Sequence, residues 1–458
     1  MEWLTVLPPV IAIAVVLWKK EVILALFLAI LSSELLLIVT GTSGNWFVTP
    51  INTIERIVET AASGDTTRIL IFSLLVGALL AFIRDSGGVS ATVNRVISSG
   101  LINSKKRVGG ITMFTGIVIF IESNLSVLTA GIFARGLFDK YKMSRARLAY
   151  IIDSTCAPIC ILILLNGWGA YVLALISTYD LGQDPLAVLW GTLPFNIYAW
   201  LTLVVVAYTI FFDKVHGPMK EAEKSLESVE TSLNSSPATK SRFMLIPLFV
   251  MIIGMFSFMF MTGEGDITQG SGSKSVLYAT FLACIVAYGQ LLWHKRFTHQ
   301  QSIKIGFSGM GELLPLVTIV LLSIALGTSL KALGTGIFVS GLVGDNLPLI
   351  LVVPMLFIAG AIMSFTTGTS WGTFAILIPI GMPLVATLGL PPSLVLAAIL
   401  GGGIFGDHCS PISDTTAISS LAAGCDLLTH VKTQMPYALF VGGVTIVAYI
   451  LLSLQILF

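Results

Sequence analysis

The stretch GDHCSPISDTTAISS, residues 406–420, places Asp407, His408, Ser410, Ser413, Asp414 and Thr415 directly behind the apolar run Leu394–Phe405. A charged side chain at the centre of a bilayer costs about 2.5–3.5 kcal/mol on insertion scales, so carboxylates there point to a function. Pro411 has no amide hydrogen and cannot bond the carbonyl of Asp407, and its ring pushes that carbonyl away. Pro158 does the same to the carbonyl of Ser154 within IIDSTCAPIC (151–160). A carbonyl left bare in lipid is costly and needs a partner. Freed carbonyls, hydroxyls and a carboxylate are the oxygen ligands that a hard, partly dehydrated cation takes.

Asp153, Ser154 and Thr155 offer the same oxygens in the first half of the chain. Glu122, Ser123 and Asn124 fall at the polar turn of FIESNLSVLTAGIFARGLF (120–138). Thr366, Thr367, Thr369 and Ser370 fall at the turn of FTTGTSWGTFAILIPIGMPL (365–384). Trp371 and Trp168 follow polar or small residues and are read as walls of the site. Single hydroxyls near a break often only re-satisfy the backbone. Gly401–Gly403 read as close helix packing. His408 is read as a buried hydrogen-bonded neighbour with a proton role open. His408, Cys409 and Ser410 are consecutive, and neighbours on a helix point apart, so neither a nucleophile–base pair nor a zinc site is expected there. No enzyme activity and no organic cofactor are expected.

The elements that must position these groups are membrane helices. Of 458 residues, 55% are hydrophobic and 11% charged, where a soluble domain carries about 25% charged. Apolar runs recur along the whole chain without the period-two alternation of a barrel, which gives an all-α polytopic membrane protein. The net charge of +1 and the lack of a basic block exclude a nucleic-acid partner. Membrane lipid is the expected surrounding. The five cysteines read as small buried hydrophobes with no disulfide framework.

Short apolar runs at 108–121, 168–179 and 393–407 cluster around the polar motifs and suggest broken helices or re-entrant segments, and a further run is read at 147–165. Spans are also expected at 312–333 and 435–457, and an amphipathic surface helix at 51–62. The organisation read from this is N-terminal spans and the amphipathic helix in 1–68, a first repeat in 69–212, a linker in 213–242 and a second half in 243–458. Basic groups at 19–20, 105–107, 135–147 and 294–304 are placed in the cytoplasm. The segment 108–134 must then enter and return on one side, as a re-entrant hairpin. A second hairpin near 366–388 enters from outside, and both halves follow their hairpin with an aspartate and a proline. Inverted repeats with broken helices mark a secondary transporter whose site lies between the halves. Abundant Gly and Ala leave a homodimer open.

GGGIFGDHCSPISDTTAISSLAAGC (401–425) with HVKTQMPYAL (430–439) resembles the signature of the NhaC-type sodium/proton antiporter family, as do SRARLAYIIDSTCAPIC (144–160) and GTSWGTFAILIP (368–379). The resemblance covers most of the chain beyond the first two spans. It implies a bacterial or archaeal inner-membrane carrier of Na+ and H+, of a superfamily in which some members exchange small organic acids or amino acids. Where many members carry an acidic pair at the first turn, this chain keeps Glu122 and has Ser123 at the second position, which leaves room for an organic substrate with its own charge. Na+ is expected at Asp407 and Asp153, in competition with protons.

Overall fold

The computed structural model describes residues 2–457 except 20, 41–45, 89, 93, 94, 96–103, 121, 122, 165, 226–237, 266–269, 336, 339, 340 and 342–346. Glu122, the Asn124 side chain, Lys20 and the centre of the linker therefore lie outside the described residues. Most of the described chain is helical. In chain order the helices are α1 (Leu7–Lys19), α2 (Val22–Thr40), α3 (Thr49–Ala62), α4 (Gly64–Asp85), α5 (Lys105–Val118), α6 (Ser123–Lys140), α7 (Arg145–Leu162), α8 (Gly167–Ile176), α9 (Pro185–Gly191) and α10 (Ile197–Phe211). They continue as α11 (Pro218–Ser225), α12 (Arg242–Thr262), α13 (Gly272–Trp293), α14 (His299–Leu333), α15 (Leu349–Thr367), α16 (Ser370–Leu388), α17 (Pro392–Cys409), α18 (Asp414–Ala423) and α19 (Leu427–Leu457). Among the described residues nine helices are long and apolar enough to cross a membrane. The chain is a multi-pass helical membrane protein.

The amphipathic segment forms α3, with Arg56 on its inward side. The Arg56 guanidinium meets the buried Glu34 carboxylate of α2 at 2.8 Å, while Ile51, Ile54 and Val58 stay exposed. α4 and α14 touch backbone to backbone where Gly77 and Gly309 face each other; a Cβ on Gly309 would sit 2.2 Å from the Gly77 carbonyl. α15 and α17 are equally close. A Cβ on Gly402 would lie 2.3 Å from the Phe357 carbonyl, so this glycine serves packing, as expected. None of the five cysteines forms a disulfide, and four are buried.

Two helices start earlier than their apolar runs. α14 begins at His299 and α19 at Leu427, not near 312 and 435. Polar side chains in the first turns of α19 lower the local hydropathy, but His430 and Gln434 are spent on buried hydrogen bonds and the helix continues unbroken. The expected break at Pro158 is also displaced. α7 stays helical through Pro158 to Leu162, and the next helix, α8, starts at Gly167. The break around Pro411 is where it was expected, with α17 ending at Cys409 and α18 starting at Asp414.

Candidate functional site

The second hairpin turns at Gly368 and Thr369, and this turn is locked onto the α17–α18 break. Gly368 adopts φ +71°, open to glycine at little cost, and a Cβ there would lie 2.4 Å from the Ile412 carbonyl. The Ser410 hydroxyl donates to the Phe365 carbonyl at 2.7 Å, and the Asp414 amide to the Gly368 carbonyl at 3.4 Å. This brings the start of α16 against Asp407. The Asp407 carboxylate is fully buried and accepts from the Ser370 amide (3.1 Å, Oδ2) and the Ser364 hydroxyl (3.2 Å, Oδ1). Both donors are neutral. The Ser370 hydroxyl is buried without a hydrogen-bond partner.

Asp153, also fully buried, projects from α7 into α18 and α19. Its Oδ1 accepts from the Ser419 hydroxyl at 3.1 Å. Its Oδ2 accepts from the Gln434 amide at 2.7 Å and the Thr416 hydroxyl at 3.4 Å, and lies 3.2 Å from His430 Nε2. The two carboxylates share a neighbour. Thr416 Oγ1 also reaches the Asp407 carbonyl at 3.1 Å. That carbonyl receives the Ser410 amide at 3.1 Å as well, so the group freed by Pro411 is satisfied within the protein. This corrects the expectation that it would be left for a cation.

Several predicted oxygens also make hydrogen bonds within the protein. Ser413 caps α18 and Thr369 caps α16 through their side chains, and Thr415 shares a hydrogen with Ser413 at 3.0 Å. Among the described residues, Thr367 Oγ1 bonds the adjoining Thr369 backbone. Asp414 is exposed on the bare chain and takes the Thr415 amide at 2.8 Å, and its charge acts on the nearby Asp407. Ser154 donates weakly to Gln434 at 3.4 Å, and the buried Thr155 hydroxyl has no partner. Ser123 is buried in the first turn of α6. Buried His408 pairs its Nδ1 with the Tyr198 hydroxyl at 3.0 Å, while its Nε2 has no partner.

Trp371 packs between Trp168 (ring centroids 4.7 Å apart) and Tyr171 (4.9 Å), and its carbonyl accepts the Tyr171 hydroxyl at 2.7 Å. Trp168 Nε1 is buried and unpartnered. At the other break, Asn166 donates to the carbonyls of Phe120 (2.9 Å) and Cys160 (2.8 Å) and accepts from the Gly169 amide (3.0 Å). Phe120, just after α5, is thus tied to Asn166 at the start of α8, much as Phe365 is tied to Ser410. Asn166, Ser364, Ser419, His430 and Gln434 escaped the reading of the sequence. His430 and Gln434 stand four apart, on one helix face, which was the available signal.

A helical membrane bundle with two buried carboxylates served mainly by neutral donors defines a secondary transporter. The profile of the Na+/H+ antiporter family matches residues 159–454, and the chain belongs to that family. An uncharacterized protein of Haemophilus influenzae is 29% identical over 98% of this chain and 90% of its own length. The malate-2H+/Na+-lactate antiporter of Bacillus subtilis is 44% identical over 78 residues, 16% of each chain. The solved YdaH transporter of Alcanivorax borkumensis shares the fold with a TM-score of 0.60 at 12% identity, covering 90% of this chain and 89% of that one.

Proposed function

We propose that this protein exchanges Na+ for H+ by alternating access, at a site formed around Asp407 and Asp153. One observation carries the reading. Asp407 is a fully buried carboxylate whose hydrogen-bond donors are a backbone amide and a serine hydroxyl, with no lysine or arginine among its described partners. A buried charge without a partner is strongly destabilising. Binding a cation or a proton relieves it, and the two compete for the same charge. The matching ties of Phe120 to Asn166 and of Phe365 to Ser410 support two inverted repeats rocking about the site. The membrane is the inner membrane of a bacterium or archaeon. Asp407→Asn tests the reading in proteoliposomes. Loss of sodium-driven proton flux is expected; wild-type flux would overturn it.

A second reading adds a small organic substrate to the same cycle. It is favoured by the Trp168–Trp371–Tyr171 wall beside Ser370, where Trp168 Nε1 and Ser370 Oγ are buried without partners. Such donors suit a carboxylate carried together with Na+. Uptake of labelled malate or lactate with and without a sodium gradient separates the two readings.

A further inference from the structure

We propose that the linker and two arginines of the first half form a lock that closes the carboxylate pair towards the cytoplasm, and that exchange needs this lock to open. It rests on the alternating-access reading and names the residues of its cytoplasmic gate.

The lock begins at a helix end. α18 is short and stops at Gly424. The last carbonyls of a helix lack partners farther along it and carry partial negative charge. Cations of the first half take them. Arg135 of α6 donates to the carbonyls of Ala422 (2.6 Å) and Leu421, and Arg145 of α7 donates to that of Ala423 at 2.6 Å. Asp139 aims Arg145 through two hydrogen bonds of 2.7 Å. α6 and α18 touch here, since a Cβ on Gly131 would lie 2.6 Å from the Ala422 Cβ. α18 also supplies Thr416 and Ser419 to Asp153, so the arginines position a helix that serves the carboxylate.

The linker closes the rest. Arg147, buried in the first turn of α7, donates to Asp213 at 2.7 Å and to the Thr209 carbonyl at 2.6 Å. Glu223 of α11 accepts from the Ser144 amide and hydroxyl, both at 3.1 Å. The His216 amide donates to the Tyr437 hydroxyl of α19 at 2.7 Å. The Tyr437 ring stacks on Tyr150 of α7, with centroids 4.7 Å apart. Tyr150 and Asp153 stand three apart on α7, as Gln434 and Tyr437 do on α19, so each pair shares a helix face. The stacked rings are therefore the layer next to the Asp153–Gln434 bond, on the side where the linker is tied. Beside them, Ser154, Thr202 and His408 line a narrow crevice.

This side parts at small cost. Asp139 and Asp213, which anchor two of the arginines, are exposed, and ties to exposed partners are weak. Water replaces an arginine at the end of a helix. The turn at Gly368, read as entering from outside, is packed backbone against backbone instead, with a Cβ there 2.4 Å from the Ile412 carbonyl.

The test uses Thr202→Cys as a reporter, because the Thr202 hydroxyl bonds its own helix at the Tyr198 carbonyl. In vesicles that present the cytoplasmic face, a membrane-impermeant cationic thiol reagent is added and modification at position 202 is read by mass spectrometry, apart from the native cysteines. Tyr437→Phe keeps the stacked ring and drops the bond to the linker; added to the reporter, it should speed modification about fivefold, as loss of one hydrogen bond allows. Arg145→Gln should act likewise, and reagent on the opposite face should show no such rise. Unchanged rates in both variants at the wild-type melting temperature overturn the lock, as does an equal rise from both faces. A second arm joins Ser144→Cys and Glu223→Cys with a short, cleavable bifunctional thiol reagent. Sodium-driven proton flux should stop on joining and return on cleavage; joined protein that keeps its flux overturns the lock. Where the double variant has lost its flux before joining, the modification rates decide. A wild-type protein without sodium flux fails at the antiport reading instead, and the modification rates still test the lock.

Discussion

Ser370 gives its backbone amide to Asp407 Oδ2 at 3.1 Å but leaves its own hydroxyl unused. The amide positions the carboxylate whatever side chain stands at 370, so hydroxyl and backbone roles can be separated. Ser370→Ala keeps the amide bond and removes one candidate ion ligand. The sodium concentration for half-maximal flux should rise about tenfold, equivalent to about 1.4 kcal/mol, with the melting temperature little changed. An unchanged sodium dependence would make that hydroxyl irrelevant to the ion.

Asn166 makes a different prediction, because its three hydrogen bonds hold a break rather than an ion. It ties the Phe120 and Cys160 carbonyls and the Gly169 amide together in a buried position. Asn166→Ala removes all three bonds, at about 1–3 kcal/mol for each buried group that finds no substitute, with the Phe120 carbonyl keeping the weak Cys160 thiol donor at 3.3 Å. The melting temperature in detergent should drop clearly, while the sodium affinity of the folded fraction stays near wild type. A weakened affinity with normal stability would move Asn166 into the ion site.

Much of this was legible in the sequence, and the failures share a cause. Asp407 and Asp153 stood out because a carboxylate inside an apolar run is costly. The turn at Gly368 and the break at Pro411 were marked by glycine and proline, which act locally. What escaped was long-range pairing. Ser419, His430 and Gln434 lie more than 260 residues from Asp153 along the chain, and nothing local to α19 announces that partner. Pro158 misled for the complementary reason. α7 is buried along almost its whole length, and packing on all sides holds it helical past the proline. Ser413 and Thr369 cap helices, and a helix cap and an oxygen cage use the same residue types.

The packing of α17 on α15 gives a paired test. A Cβ on Gly406 would lie 2.3 Å from the Ala361 carbonyl, backbone that cannot yield cheaply, while a Cβ on Gly401 would meet nothing nearer than 3.5 Å. Gly406→Ala should therefore destabilise by about 1–3 kcal/mol, as overpacking does, and shift Asp407 one residue away along α17. Gly401→Ala should be close to neutral. Thermal unfolding of the two variants side by side checks this; equal melting temperatures would mean that α15 and α17 are farther apart than described.

The pH dependence of sodium binding has a definite sign. A cation binds the site in its charged, deprotonated form, so each bound proton must leave before sodium enters. As pH falls through the titration range, the apparent sodium dissociation constant should climb by up to about tenfold per pH unit for each proton exchanged. Above that range it should level off. Under saturating sodium the exchange rate should instead decline at high pH, because the return step needs a proton to displace the ion. Sodium dissociation constants measured calorimetrically across the pH range would give the slope, and with it the number of protons exchanged per ion. A flat profile would mean that sodium and protons do not compete, and would leave the buried pair of Asp153 and Asp407 without a role in antiport.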